Sequence, residues 1–360
     1  MSNVITFHAA VRRSRSQNLS TLMIAVAQNR RRQGDVFWLK ENAEVLGMLA
    51  ATRAVTTVDD LAPYAEFYDQ IEEKLRFYPQ YYRFFLSICL DLEDLGFDGG
   101  KGEAMCQWVA DAGLVKAELS DLQRAEARRL LARRGVADLR GAGMIDDRLR
   151  RFAERAETFA LPNKKAAYEL THIVFYLSEY GGKDPQLSED VVTSLHFIGV
   201  LAYLDQNHDL LAEVCTALHF VGAMPSPVWI EAVAQAHSRI LPVVEVPKYP
   251  NQDAFHAYLV TGWTQTVLGG VSFEAQVSDK APYFISKVRR TSVLRPLSEC
   301  LYDLGPLRNG DWGAMRHCLM SKLDIVSQEI LKQAETSTQK FAAFFQGFAR
   351  ASASRNARTG

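Results

Sequence analysis

Tyr168-Glu-Leu-Thr-His172-Ile-Val-Phe175, Thr193-Ser-Leu-His196-Phe-Ile-Gly-Val-Leu201 and Thr216-Ala-Leu-His219-Phe-Val-Gly-Ala-Met224 each carry one histidine, at separations of 24 and 23 residues. That spacing is about one helix plus a turn. In the last two segments Thr, Leu, His, Phe and Gly recur in register. Apolar residues repeat at helical intervals through all three. Helices of this length joined by short turns run antiparallel to their neighbours. A residue near a helix middle keeps its height when the direction reverses, so His172, His196 and His219 are expected to face one another across a shared core. The fold class implied is all-α, an antiparallel helical array that is either a curved α/α repeat or toroid-like.

Working outward, helical patterns cover most of the chain. Asn18 to Arg32 reads as a first helix, and Asp35 caps a second to about Ala51. Asp59 or Asp60 opens another to Leu75, and Pro79 separates it from Gln80 to Leu95. Four glycines in Gly96 to Gly102 make a loop. Glu103 to Ala112, Ala117 to Arg134 and Ile145 to Phe159 follow, up to a break at Leu161-Pro162. Beyond it lie Asn163 to Tyr180, Ser188 to Leu204, Asp209 to Val221, Pro227 to about Ile240, Asn251 to Leu268, Asp311 to Gln333 and Thr336 to Arg350. Ser188 and Ser226 are the expected N-caps of their helices. Gly269 to Arg290 has mixed character with room for extended chain. The expected organisation is a basic segment 1–34, a helical half 35–161, a His-rich helical array 162–350 and a basic tail 351–360.

At 360 residues with 48% hydrophobic and 23% charged residues, the composition is that of an ordinary globular protein. No apolar run approaches the ~20 residues that span a bilayer. The five cysteines are scattered, with no Cys-x-x-Cys, which fits free thiols in a reducing compartment and points to the cytoplasm. Met1 to Gly34 holds six arginines and no acid, and the chain after Glu335 carries four further cations and no acid, leaving the middle at about −11. The acid-free, Arg- and Ser-containing start resembles a transit peptide, but Leu19 to Ala27 is short and polar-flanked, and no clean cleavage site follows it. Neither basic end interleaves aromatics with its arginines, which disfavours a nucleic-acid surface. Solvated tails around an acidic body are expected.

Chemistry-bearing residues concentrate between His172 and His256. Glu169/His172, Asp205/His208 and Asp253/His256 each put a carboxylate three residues before an imidazole, and on a helix such pairs share a face. Helical di-metal sites present ligands at this spacing, with Glu213 and Glu231 as the available further carboxylates. The structural alternative is satisfied core histidines and helix-end polar pairs. Cys215 and His219 also share a face, but in an apolar helix where Cys usually packs as a small hydrophobe. Thr193 and Thr216 are the expected hydrogen-bond partners of His196 and His219. In the turn Asp205 to Asp209, Asn207 or Asp209 is expected to cap the next helix. The nine aromatics from Tyr64 to Phe85 are expected in the core. The arginines from Arg124 to Arg155 read as an exposed face laced with ion pairs. There is no Walker loop, G-x-G-x-x-G, G-x-S-x-G or H-E-x-x-H.

The segment Ala166-Ala-Tyr-Glu-Leu-Thr-His-Ile-Val-Phe-Tyr-Leu-Ser-Glu-Tyr-Gly181 resembles a stretch found in uncharacterised bacterial all-helical proteins, which implies no known activity. The His-bearing hairpins also look broadly like those of α/α toroid enzymes. The zinc-binding Cys and Cys-His pattern of the lanthionine-cyclase toroids and the Asp-rich motif of toroidal terpene cyclases are both missing. The expectation is a small-molecule enzyme with its site among the helices of the C-terminal half. Glu169 and His172 would be metal ligands or acid and base, and Tyr176 a hydrogen-bond donor. Asp205, His208 and His256 would be further contributors, with iron, manganese or zinc suiting such mixed ligands. The alternative is a non-catalytic helical-repeat scaffold that holds a protein partner.

Overall fold

The computed structural model describes residues 15–136, 142–245, 253–270, 273, 277–278, 280, 283–287 and 291–351. The fold is all-α. Its longer helices are α1 (Arg15–Ile24), α2 (Val36–Ala51), α3 (Tyr82–Asp94), α4 (Gly102–Asp111), α5 (Asp121–Ala132), α6 (Ala142–Ala153), α7 (Lys164–Leu177), α8 (Glu189–Leu204), α9 (His208–Phe220), α10 (Pro227–Ser238), α11 (Phe255–Val267), α12 (Leu294–Asp303), α13 (Trp312–Lys322), α14 (Ile325–Thr336) and α15 (Phe341–Ala349). Among the described residues, no helix is long and apolar enough to cross a membrane.

Side-chain caps set many of the boundaries. Asp35 accepts from the Phe37 amide at 2.7 Å and starts α2. Asn163 does the same for α7 and Asn207 for α9, each such cap contributing about 1 kcal/mol. The stretch expected as one helix from Asp311 to Gln333 is two, because Asp324 caps a fresh start by accepting from the Ser327 amide at 2.8 Å. Ser188 begins α8 without capping it, since its hydroxyl donates to Glu154 at 3.0 Å. α10 stops at Ser238 rather than Ile240, and the chain turns into β1 (Ile240–Val243), where Pro242 has no amide to extend a helix. β1 pairs antiparallel with β2 (Tyr283–Ser286), which supplies the extended chain expected in the mixed segment.

The basic N-terminal segment is in part structural. Residues 1–14 and the tail 352–360 lie outside the described residues, but Arg30 is buried at 8% exposure. It donates to Glu41 at 3.0 and 2.9 Å and to Asp253 at 2.8 Å. Its guanidinium also lies 4.0 Å from the centre of the Phe255 ring. Asp253 accepts the Phe284 amide at 3.1 Å as well, so Asp253 ties β2 and the start of α11 to Arg30, while Glu41 ties α2 to it.

Two hydrophobic cores result. The first gathers Trp38, Leu46, Phe67, Phe85 and Leu90 with Tyr258 and Phe284. The second gathers Leu170, Val174, Ile198, Leu211, Trp229, Phe344 and Phe345. Helices α5 and α11 serve both: Leu130 and Leu259 enter the first core, Ala125 and Trp263 the second. Most aromatics between Tyr64 and Phe85 pack into the first core as expected, but Phe77 is 74% exposed.

The segments that recur in the sequence have diverged in their surroundings. Gly199 sits inside α8, where an added Cβ would come within 2.5 Å of the Trp229 ring. Gly222, its counterpart, follows α9 with φ +78, the left-handed conformation that ends a helix. His196 packs 5.7 Å from Trp229 with its Nδ1 buried and without a partner among the described residues, whereas His219 is exposed. The expected Thr–His pairing does not form. Thr193 donates to the Glu189 carbonyl and Thr216 pairs with Thr264. The three histidines therefore do not converge. Gly199→Ala is expected to cost about 1–3 kcal/mol through overpacking against Trp229, read as a lower urea midpoint at constant m-value.

Candidate functional site

Six helices leave a cavity of about 430 Å³ where the two cores meet, a size typical of small-molecule sites. From the first core, α2 contributes Lys40, Glu44 and Gly47, and α3 contributes Arg83, Ser87, Asp91 and Asp94. The shared helix α5 and its C-cap contribute Glu126, Arg129 and Arg133, and the shared helix α11 gives His256, Val260 and Trp263. From the second core come His172, Phe175 and Tyr176 on α7, Glu179 in the turn that follows it, and Glu213 on α9. The α2, α3 and α5 residues recur at three- and four-residue intervals, so each of these helices turns one stripe inward.

The α7–α9–α11 wall holds a connected network. Asp209 Oδ1 accepts from His256 Nδ1 at 2.7 Å, and Oδ2 accepts from the Tyr168 hydroxyl at 2.7 Å. Burial opposes a charged imidazole, but Asp209, Glu44 and Glu213 outweigh it and push His256 up to about 9. His256 is thus an imidazolium at neutral pH, with Nε2 lying 3.8 Å from the Glu44 carboxylate.

His172 is fixed differently. Its Nδ1 lies 2.7 Å from the Tyr168 carbonyl, which can only accept, so Nδ1 carries a proton. In the neutral ring Nε2 is then the lone-pair nitrogen. Glu213 stands behind it, 3.8 Å from Nδ1, and accepts from the Thr171 hydroxyl at 2.6 Å. Burial drives the Glu213 carboxyl above its ordinary range, partly offset by His172. The Tyr176 ring meets His172 at 5.8 Å, and its hydroxyl makes no hydrogen bond among the described residues.

Opposite lies an ion-pair wall. Arg133 holds Asp91 at 2.7 Å and Asp94 at 2.6 Å. Arg83 holds Glu118 at 3.0 Å and also Glu126. Asp91 further accepts from Ser87 at 2.9 Å. Gly47 leaves room here, since a Cβ would touch Asp91 at 3.4 Å.

Of the residues expected at a site, His172, Tyr176 and His256 line this cavity, and Glu169, Asp205 and His208 are not in its lining. Glu169 pairs loosely with Lys165 at 3.9 Å. Asp205 accepts from Ser292 at 2.7 Å and from Lys164 at 3.1 Å. His208 opens α9. Among the described residues, no group of three His, Cys, Asp or Glu is arranged to hold a metal ion. Cys215 is buried, and burial pushes its thiol up, away from nucleophilic use; its helical neighbour His219 faces outward.

The turn residues divided their roles: Asn207 caps α9, whereas Asp209 orients His256. Arg129 and Arg133, read as surface ion pairs, line the cavity instead. A stripe of Arg83, Ser87, Asp91 and Asp94 along a helix that otherwise buries Leu86, Ile88, Cys89, Leu90 and Leu92 is the signal that marks this wall.

These features define an all-α protein with a cavity lined by charged side chains between two hydrophobic cores. The chain belongs to the family described as Domain of unknown function (DUF6902), which it matches over residues 1–351. No curated protein and no solved structure matches the chain.

Proposed function

We propose that this protein is an enzyme that moves protons on a small molecule held in the interhelical cavity. One observation carries the reading: two imidazoles from different helices line the same cavity, each tied down through Nδ1, one by a carboxylate and one by a carbonyl. Tying Nδ1 fixes ring orientation and tautomer and reserves Nε2 for chemistry. His172 Nε2 is the base that accepts a proton from the bound molecule. His256, kept charged by Asp209, is the acid that returns one, to the other face of the same carbon or at a second position. Glu213 supports the positive charge that His172 gains. Net proton-neutral reactions such as isomerisation, epimerisation or elimination need no more than this pair.

Deuterium entry from D₂O into the carbon-bound positions of small carbonyl and carboxyl compounds, followed by proton NMR, tests the reading. At least one compound is expected to exchange faster with the protein present, and His172→Gln is expected to slow that exchange by about 10²–10⁴-fold. No acceleration across the panel, or a wild-type rate in His172→Gln, would overturn the assignment.

A further inference from the structure

The cations that line the cavity differ in how fully they are used. Arg133 is held by two carboxylates at 2.7 and 2.6 Å, and Arg83 by two of its own. Lys40 is exposed and faces Glu44 at 3.7 Å. Arg129 is the exception. Its side chain is only 13% exposed, yet its one ion pair among the described residues is a long contact of 3.4 Å to Glu179, a carboxylate that also faces Lys183 at 3.4 Å. Arg129 Nε is buried with no partner among the described residues. A guanidinium offers five N–H donors in a planar fork, and leaving the buried Nε–H without a partner is costly. The guanidinium lies 4.8 Å from the centre of the Tyr180 ring and 6.0 Å from that of Tyr176, contacts that hold it in place without consuming its donors.

We infer that Arg129 is the anchor for a carboxylate, and that the molecule acted on is a small organic acid with an apolar body. The fork of a guanidinium matches a carboxylate in two parallel hydrogen bonds. Phe175, Val260 and Trp263 on the same cavity offer the apolar surface for the rest of the molecule. The balance of charge selects a monoanion over a phosphate. The other arginines are already neutralised, and Glu44, Glu126 and Glu179 also line the space, so a dianion would meet more repulsion than Arg129 can offset. Holding the carboxylate on α5 and the base on α7 would set the carbon next to the carboxyl as the site of proton removal. The inference rests on the proposed reading only in placing the ligand in this cavity, and its test reads binding rather than turnover.

The test uses fluorine NMR of three probes with the full chain: 4-fluorobenzoate, 4-fluorobenzamide and 4-fluorophenyl phosphate. Wild type is expected to broaden the benzoate signal and to bind the amide and the phosphate more weakly. Arg129→Gln is expected to weaken benzoate binding roughly tenfold to a hundredfold. Arg129→Lys, which keeps the charge and loses the fork, should fall between. Benzoate that wild type binds and Arg129→Gln loses, with no proton exchange by wild type, would uphold the anchor and overturn the acid–base reading, so the two fail separately. Equal binding of acid and amide, preference for the phosphate, no benzoate binding by wild type, or undiminished binding by an Arg129→Gln protein with wild-type circular dichroism would each overturn the carboxylate anchor.

Discussion

Asp209→Asn is expected to bring the His256 titration down from about 9 toward the ordinary imidazole value of about 6.5. Burial disfavours the charged ring, and what overcomes it is first the 2.7 Å hydrogen bond to Asp209 and then the charges of Asp209, Glu44 and Glu213. Asparagine keeps an oxygen for Nδ1–H and removes the charge that faces it. The imidazole Cε1–H signal, followed from pH 5 to 10 and assigned with His256→Asn, reads the change directly. The stability consequence has a definite sign. Because the folded value lies above the unfolded one, the Asp209–His256 pair contributes fully below about pH 6.5 and loses its contribution as pH rises toward 9. Wild type should therefore lose stability across that window relative to Asp209→Asn. A midpoint that stays near 9 in the variant would remove Asp209 from its assigned role.

Arg30→Met is expected to be among the most destabilising single changes outside the site. The methionine fills much of the volume and pairs with nothing. Glu41 and Asp253, with side chains 11% and 9% exposed, would then keep their charges with only Arg31 left, at 3.0 Å from Glu41 and 3.7 Å from Asp253. Breaking a buried ion pair by removing one partner costs about 3–5 kcal/mol, and Arg31 should hold the loss near the lower end. Urea denaturation measures it. Adding Glu41→Gln to Arg30→Met should recover part of the loss, since the stranded charge is then gone. A loss below about 1 kcal/mol would place Arg30 among ordinary surface arginines, whose ion pairs contribute little.

Helix content was readable because apolar periodicity and capping residues are local. Asp35 and Asn207 could be recognised as caps from their neighbours alone. Asp324 was missed because an aspartate inside an amphipathic pattern reads equally well as a solvent-facing residue. Histidine positions revealed which stretch mattered but not which way each ring points. His172 and His256 line the cavity, whereas His196 packs on Trp229 and His219 faces outward, because a match between helices says nothing about their rotation against one another. The ion-pair wall was hidden for a related reason. Charges at Glu126, Arg129 and Arg133 share the three- and four-residue spacing of an exposed face, and only the packing of α3 and α7 against α5 makes that face interior. Asp209 looked like a cap because its partner, His256, arrives from a helix that lies far along the chain.

The cavity lies between the cores rather than inside either, and this bears on how the molecule comes apart. A compound bound there would touch α2 and α3 on one side and α7 and α9 on the other, adding a bridge where the apolar packing is interrupted. Occupancy would act as a rivet. Filling the space should raise the melting temperature and sharpen the transition, making calorimetry a substrate-finding assay that needs no knowledge of the reaction.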